Sequence, residues 1–314
     1  MAAAHREALR RHCHRMLGSL EDADDAVQET LLAAWRGRDA FEGRASDRTW
    51  LYRIATNRCL NAIRDGARRP PPAPAPPFEA PAPTSWDDAT WLQPYPDAPD
   101  AVPEVPGARI DGHEAVGPAF ARLMQRLPPV QMAMLLLCDV LGFSRTEAGD
   151  MIGRSPAAAK ALLQRARAAV AAARRDDPGW TRGPEDSTDA EVAHRFAAAF
   201  VGDDIDGMLA LLTDDAWLRM PPAPHAYRGR AAVGAFLRAS SRARRGGREV
   251  LMPARSGGRT AFAWYHGPRD GEAPRFAALV VPVVRAGRVR ELTRFHVPGL
   301  AAAFGLPGEL APTP

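Results

Sequence analysis

The stretch LGFSRTEAGDMIGRSPAAAKALLQRAR, residues 141–167, decides how this chain is to be read. Gly142 can end a preceding helix by taking the left-handed conformation that glycine adopts without a side-chain clash. Ser144 followed by Glu147 is a capping box, which starts a short helix by satisfying orphan backbone donors. Gly153 ends that helix. Ser155-Pro156 then supplies an N-cap and a proline at the first helical position, where its missing N–H is not needed. Two helices joined by a turn of this kind form a helix-turn-helix. On the second helix each residue advances about 100°, so Ala159, Leu162, Leu163, Ala166 and Val170 make an inward seam. Lys160, Ala161, Gln164, Arg165 and Ala168 point the other way. Such a small, basic outer face fits a major groove about 12 Å wide. Arg154, Ser155 and Lys160 stand near the helix N-terminus, where this motif reads bases. Gln164 suits adenine, and Arg165 or Arg167 suits guanine or phosphate; which arginine does which stays open.

Working outward, residues 119–175 read as helical throughout. Residues 70–118 are rich in proline, which forbids a continuous helix or central strand, so an extended, partly disordered linker is expected. The exception is an apolar island around Trp91-Leu92-Gln93-Pro94-Tyr95, which should seek a docking surface. Residues 1–69 are helical. Ala23, Ala26, Val27, Thr30, Leu31 and Ala34 form one stripe, and Asp25, Gln28, Glu29 and Arg36 the opposite face. A second helix spans about 47–65. Past a hinge at 176–189, residues 190–306 change character. Helices are expected near 191–201, 204–212 and 230–239, and strands at 249–252, 260–266, 276–284 and 289–296. That pattern predicts an α+β domain with a curved antiparallel sheet.

Charge alternates in blocks. Residues 19–30 carry five acids and no base, and residues 36–69 nine arginines against four acids. Residues 71–118 carry eight acids and one arginine, and residues 154–175 six bases and no acid. The two basic blocks suit phosphate contact. In the first, Trp50, Tyr52, Arg53, Asn57 and Arg58 mix aromatics with arginines, as a surface for unpaired bases does, although Trp50 and Tyr52 also suit a core. Three scattered cysteines among 314 residues argue against a disulfide framework and suit a reducing cytoplasm. Cys13 lies between His12 and His14, but adjacent helical residues diverge too far to share one ion. An ordinary helix surface with one buried thiol is expected there, and no metal or cofactor. No apolar run reaches bilayer length.

The run from Asp22 to Trp35 resembles region 2.2 of extracytoplasmic-function sigma factors. The run from Phe41 to Asn57 resembles regions 2.3 and 2.4, and that from Leu127 to Arg167 resembles region 4, all in the family's order. The resemblance implies two all-α domains, residues 1–69 and 119–175, joined by the acidic linker 70–118. It implies that Asp24, Asp25, Gln28 and Glu29 grip the β′ clamp helices of core RNA polymerase, with region 4 on the β flap. It implies that Arg44, Arg48, Trp50, Tyr52, Arg53 and Asn57 engage the −10 element of promoter DNA, with a base flipped into the loop at 41–46. Arg154, Ser155, Lys160, Gln164, Arg165 and Arg167 would engage the −35 element. Many relatives have Val-Lys-Ser-Arg on the recognition helix where this chain has Ala159-Lys160-Ala161-Leu162, so its −35 preference should differ.

The remainder is similar to a subgroup with a fused C-terminal SnoaL-like domain, a conical α+β barrel with a pocket. The island Trp91-Leu92-Gln93-Pro94-Tyr95-Pro96, the run Tyr227-Arg228-Gly229-Arg230 followed by a helix, and Phe304-Gly305-Leu306-Pro307 carry that likeness. Trp217, His225, Tyr227, Trp264, His266 and His296, with Met220 and Phe295, are the candidate pocket residues for a small-molecule ligand. No carboxylate–histidine pair is visible, so the domain is read as a regulator in cis rather than an enzyme. The expected protein is a cytoplasmic sigma factor with no membrane segment. The alternatives are a helix-turn-helix regulator with a ligand-sensing or catalytic SnoaL-like domain, or an enzyme with a DNA-binding extension. The first leaves the acidic face and the first basic block without a role; the second rests only on the pocket.

Overall fold

A computed structural model describes residues 2–38, 46–66, 78–86, 93–97, 109–110, 117–176, 180, 185–267 and 273–311. The chain divides into two compact units. One comprises Met1–Arg69 with Asp100–Gly183, the other Pro70–Pro99 with Pro184–Pro314.

The first unit is all helical. It opens with α1 (Ala2–Leu17), α2 (Leu20–Arg36) and α3 (Asp47–Asp65). Ser19 caps α2 by accepting from the Asp22 amide, and Ser46 caps α3 by accepting from Thr49. Helix α1 lies deeper than its sequence suggests: His12, Cys13 and His14 are all buried, as are Cys59 and Cys138. His12 Nε2 lies 2.9 Å from Thr56 Oγ1 of α3. The expected helix surface with one buried thiol is therefore corrected to a core position, because α1 packs on both α2 and α3.

The second half of this unit holds α4 (Pro118–Arg126) and α5 (Pro129–Leu135), which runs into a π-helical turn at Leu136–Val140. Then come α6 (Arg145–Met151) and α7 (Pro156–Asp176). Both bonds of the Ser144–Glu147 capping box form. Gly142 and Gly153 sit at φ +72° and +64°, so both turns use the conformation predicted for them. Helices α6 and α7 cross where Gly149 meets Ala159; a Cβ on Gly149 would stand only 3.2 Å from that of Ala159. Arg167 of α7 donates two hydrogen bonds, of 2.9 and 2.7 Å, to buried Asp139 in the π turn.

The two helical segments share one core. Arg48 of α3 donates to the Leu141 carbonyl at 2.6 Å, and its guanidinium lies 4.1 Å from the Phe143 ring centroid. Phe143 meets Tyr52 edge to face at 5.6 Å. Asn57 Nδ2 donates to the Met151 carbonyl at 2.8 Å.

The second unit is α+β. Strand β1 (Ser85–Trp86) precedes α8 (Ser187–Val201), α9 (Ile205–Leu211), β2 (Leu212–Met220), β3 (Ala223–Arg228) and α10 (Arg230–Arg244). Strands β4 (Arg248–Ser256), β5 (Arg259–Gly267), β6 (Arg275–Arg285) and β7 (Arg288–Phe295) follow, then α11 (Leu300–Ala303). The sheet order is β1-β3-β2-β7-β6-β5-β4. Two features depart from expectation. Strands β2 and β3 have no clear signal, since Asp214 and Asp215 interrupt the apolar pattern of one and prolines flank the other. Strands β2 and β7 pair in parallel, so the sheet is not purely antiparallel. The helices cover one face: Phe196 and Phe200 of α8, Met208 of α9, and Val233, Phe236 and Leu237 of α10 pack with Phe262, Trp264, Val280 and Leu292. Burying each large apolar side chain contributes about 1.5–3 kcal/mol.

The described linker residues 78–86 and 93–97 are ordered on this unit, whereas Arg109 and Ile110 bond to the Asp139 carbonyl in the first. Ser85 pairs with Ala226 and Trp86 with His225, which adds β1 to the sheet. Tyr227 Oη donates to the Pro81 carbonyl at 2.8 Å, and Phe78 meets Phe236 at 5.5 Å. At the opposite sheet edge Pro96 bridges Ser256, and Ser256 Oγ donates to the Tyr95 carbonyl at 3.0 Å. The Asp97 carboxylate accepts from the Gly258 amide at 2.8 Å. Tyr95 is buried, so the docking expected of the island is realised there, while residues 91–92 lie outside the described residues.

The buried His12 makes the first unit pH-sensitive. Burial first, and Arg15 second, push its pKa down to about 3. The unfolded chain, with an ordinary histidine near 6.5, takes up the proton first. Stability is therefore complete above pH 6.5 and lost as the pH falls toward 3. At pH 5 the loss should be about 2 kcal/mol. Thermal melts of His12→Gln and the parent at pH 7.5 and 5.0 check this: the variant should lose less of its first-unit stability on acidification, and equal losses would refute it.

Candidate polymerase, promoter and ligand surfaces

Helix α2 presents its acidic side outward, because its apolar stripe is taken by α1 and α3. Asp25, Gln28 and Glu29 are exposed. Asp24 is engaged by Arg10 at 2.6 Å, and Glu29 lies 3.4 Å from Arg58. One feature of this face has no precedent in the sequence reading: Leu32 and Trp35 are 53% and 75% exposed. At helical spacing they continue the row of Asp25, Gln28 and Glu29. Leu32 and Trp35 look like any apolar helix residues in the sequence, and the signal available was their position outside the stripe.

The described residues suggested for the −10 element fall into three groups. Arg53 is exposed. Arg48, Trp50 and Asn57 are half-buried, with Arg48 and Asn57 bonded to the helix-turn-helix segment. Tyr52 is buried between His12 and Phe143, so in this arrangement it is a core residue and no base can stack on it. Arg44 and the loop at 41–45 lie outside the described residues.

On α7 the seam is as the periodicity predicts: Ala159, Leu163, Ala166 and Val170 are buried and Leu162 is half-buried. Lys160, Gln164 and Arg165 are exposed, as are Arg154 and Ser155 before the helix. Ser155 Oγ accepts from the Ala158 amide at 3.4 Å and acts as N-cap. Arg167 differs from the rest. Its guanidinium is spent on Asp139, and that hydrogen-bonded carboxylate raises its pKa.

The second unit holds a partly open cavity of about 910 Å³. His225, Trp264, His266 and His296 line it; Trp217 and Tyr227 do not. Strand alternation turns Trp217 away, beneath Arg219 and Arg228 at 4.1 and 5.3 Å, and Tyr227 packs on Phe236 in the core. Phe295 is buried outside the lining, whereas Met220 is part of it. A carboxylate–histidine pair does exist here, contrary to expectation: His266 Nδ1 lies 2.8 Å from Glu249 Oε1. The pair comes from β4 and β5, whose register places Glu249 opposite His266 across 17 residues of sequence. The same carboxylate accepts from the Trp264 indole and pairs with Arg244 at 3.2 Å, so it is shared among three partners. His296 is held down to about 4, by burial first and then by Arg294, and burial also lowers His225. Among the described residues, no cluster of metal-ligating side chains is found and no helix is long and apolar enough to cross a membrane.

Comparison with known proteins matches three family models to the chain: Sigma-70 region 2 over residues 1–69, Sigma-70 region 4 over 119–170, and the SnoaL-like domain over 193–292. The ECF RNA polymerase sigma factor SigG of Mycobacterium tuberculosis is 38% identical over 315 residues, covering 98% of this chain and 84% of that protein. SigJ of the same species is 31% identical over 242 residues, covering 74% of this chain and 70% of that protein. The crystal structure of SigJ superposes with a TM-score of 0.63 at 23% identity, covering 97% of this chain and all of that one, which shows a common fold. With the acidic α2 face, the helix-turn-helix and the pocketed α+β unit following one another in a single chain, and with relatives aligned across nearly its whole length, this protein belongs to the extracytoplasmic-function family of RNA polymerase sigma factors, in a form that carries a SnoaL-like domain after region 4.

Proposed function

We propose that this cytoplasmic factor docks on the β′ clamp helices through α2, reads the −35 element through α7, and is restrained in cis by its C-terminal unit. The observation that carries the first part is the exposed row of Asp25, Gln28, Glu29, Leu32 and Trp35. A tryptophan left 75% exposed beside acids has the composition of an interface anchor with a charged rim. A helix-turn-helix regulator without polymerase would give this face no role.

Direct −35 contact falls to Arg154, Ser155, Lys160, Gln164 and Arg165. Arg167 is assigned instead to holding Asp139. Contact with the −10 element involves Arg48, Trp50, Arg53, Asn57 and Arg44. Arg48 and Asn57 are committed to Leu141 and Met151, so the two regions must separate before α3 can engage DNA. The packed arrangement is thus the inactive one. The linker adds a restraint: residues 78–86 and 93–97 are bonded to the C-terminal unit and cannot serve as free tether between regions 2 and 4. The pocket is read as regulatory: its Glu249 carboxylate is shared among His266, Trp264 and Arg244 and so serves to hold the wall together.

The decisive experiment is in vitro transcription with core polymerase, where promoter-specific transcripts should require this protein. Asp25→Arg with Glu29→Arg should abolish co-purification with core, and Trp35→Ala should weaken it at least tenfold; a folded triple variant that still binds core would reject the α2 assignment. On region 4, Lys160→Ala and Arg165→Ala should each cost ~1–3 kcal/mol of −35 duplex affinity if they read bases, with unchanged melting temperature. Arg167→Ala should do the reverse, lowering stability on the order of 2 kcal/mol because Asp139 stays buried without its partner. If Arg167→Ala is as stable as the parent and binds DNA poorly, the roles are exchanged. Finally, Tyr95→Ala with Asp97→Ala should free the linker and raise promoter-dependent output severalfold with core affinity unchanged. Identical transcript yields would eliminate the linker as a restraint.

A further inference from the structure

The cavity of the C-terminal unit holds a charge that the fold does not balance. Its walls are largely apolar: Phe78 from the linker, Met220, Phe236, Trp264, Phe276 and Ala301. Into this lining projects Arg294 of β7, only 2% exposed. Its Nε and Nη2 have no hydrogen-bond partner, and its guanidinium lies 5.2, 5.5 and 5.9 Å from the ring centroids of Phe200, Trp264 and Phe236. Arg244 of α10 also lines the cavity, with Nη2 unpartnered. Among the described residues, the acid that acts on these groups is Glu249, already shared among Arg244, His266 and Trp264. His225, His266 and His296 complete the polar lining with Ser240. Among the described residues, two arginines therefore face one carboxylate.

An unpaired guanidinium in an apolar cavity is destabilising, because its charge has left water without a partner. Aromatic faces offset part of this. They leave the in-plane N–H donors unused, and those donors match a carboxylate in geometry and charge. The volume lies within the range of small-molecule sites, about 300–1,000 Å³. We propose that the cavity binds an amphipathic carboxylate, a fatty or aryl-alkyl acid, with its headgroup on Arg294 and its apolar body among Phe78, Phe236 and Trp264. Because Phe78 belongs to the segment between regions 2 and 4, such a ligand touches the linker itself. This inference concerns binding alone and stands whether or not the restraint argued above is correct.

The test is titration calorimetry on the full chain with two probes of equal chain length, sodium decanoate and decanol. Decanoate should bind at least tenfold more tightly than decanol. Arg294→Met keeps the length and apolar body of the side chain but removes its charge, and should erase that preference while still taking up decanol. Arg294→Lys keeps the charge but loses the two-pronged geometry, and should weaken decanoate severalfold without changing decanol. This second variant keeps the question answerable if the methionine variant does not fold. Equal affinities for the two probes in the parent, no binding of either, or a decanoate preference that survives in Arg294→Met or is undiminished in Arg294→Lys would each overturn the proposal.

Discussion

Arg48 connects the two sigma regions. It reaches from α3 to the Leu141 carbonyl and lays its guanidinium on Phe143, at the turn that starts the helix-turn-helix. The geometry combines a hydrogen bond to a helix C-terminal carbonyl with a cation–π contact, and both strengthen with partial burial. Around it Tyr52 packs on Phe143 and Asn57 ties to Met151. The result is a first unit in which regions 2 and 4 share one core despite about 50 intervening residues of linker. The same side chains include those proposed above for the −10 element, so under that proposal closure and promoter contact compete for them.

The second unit is organised by a different constraint. Its sheet curls around α8, α9 and α10 and leaves a cavity that the core side chains do not fill. Linker residues finish the structure at both sheet edges, through β1 on β3 and through Pro96 beside β4. An unpaired edge strand is a liability, and covering it is a common solution. Here the covering segment is also the connection between regions 2 and 4. Under the proposed restraint, the pocket, the sheet edges and the free tether are linked through the same segments, residues 78–86 and 93–97.

Much of this was legible in the sequence, and the reason is local. The turns at Gly142 and Gly153, the Ser144–Glu147 box and the seam of α7 depend on a few neighbouring residues and on helical period, so they survive reading one residue at a time. The same holds for the stripe of α2 and for four of the strands. Strands β2 and β3 escaped because their polar and proline residues are acceptable only beside particular partners. The role of Arg167 escaped because an arginine on a basic helix looks the same whether it faces DNA or a buried aspartate.

Sequence alone therefore determined the order of the regions, most of their secondary structure and the residues proposed for polymerase and DNA. Tertiary structure decided which of those residues are free. It assigned Tyr52 to a core, Arg48 and Asn57 to an interface and Arg167 to Asp139. It also brought Glu249 to His266, turned Trp217 away from the cavity and left Arg294 inside it without a carboxylate. The division follows from range: helical period and capping act over three or four residues, whereas burial and charge pairing join groups far apart in the chain, and no pattern in one segment encodes its partner in another.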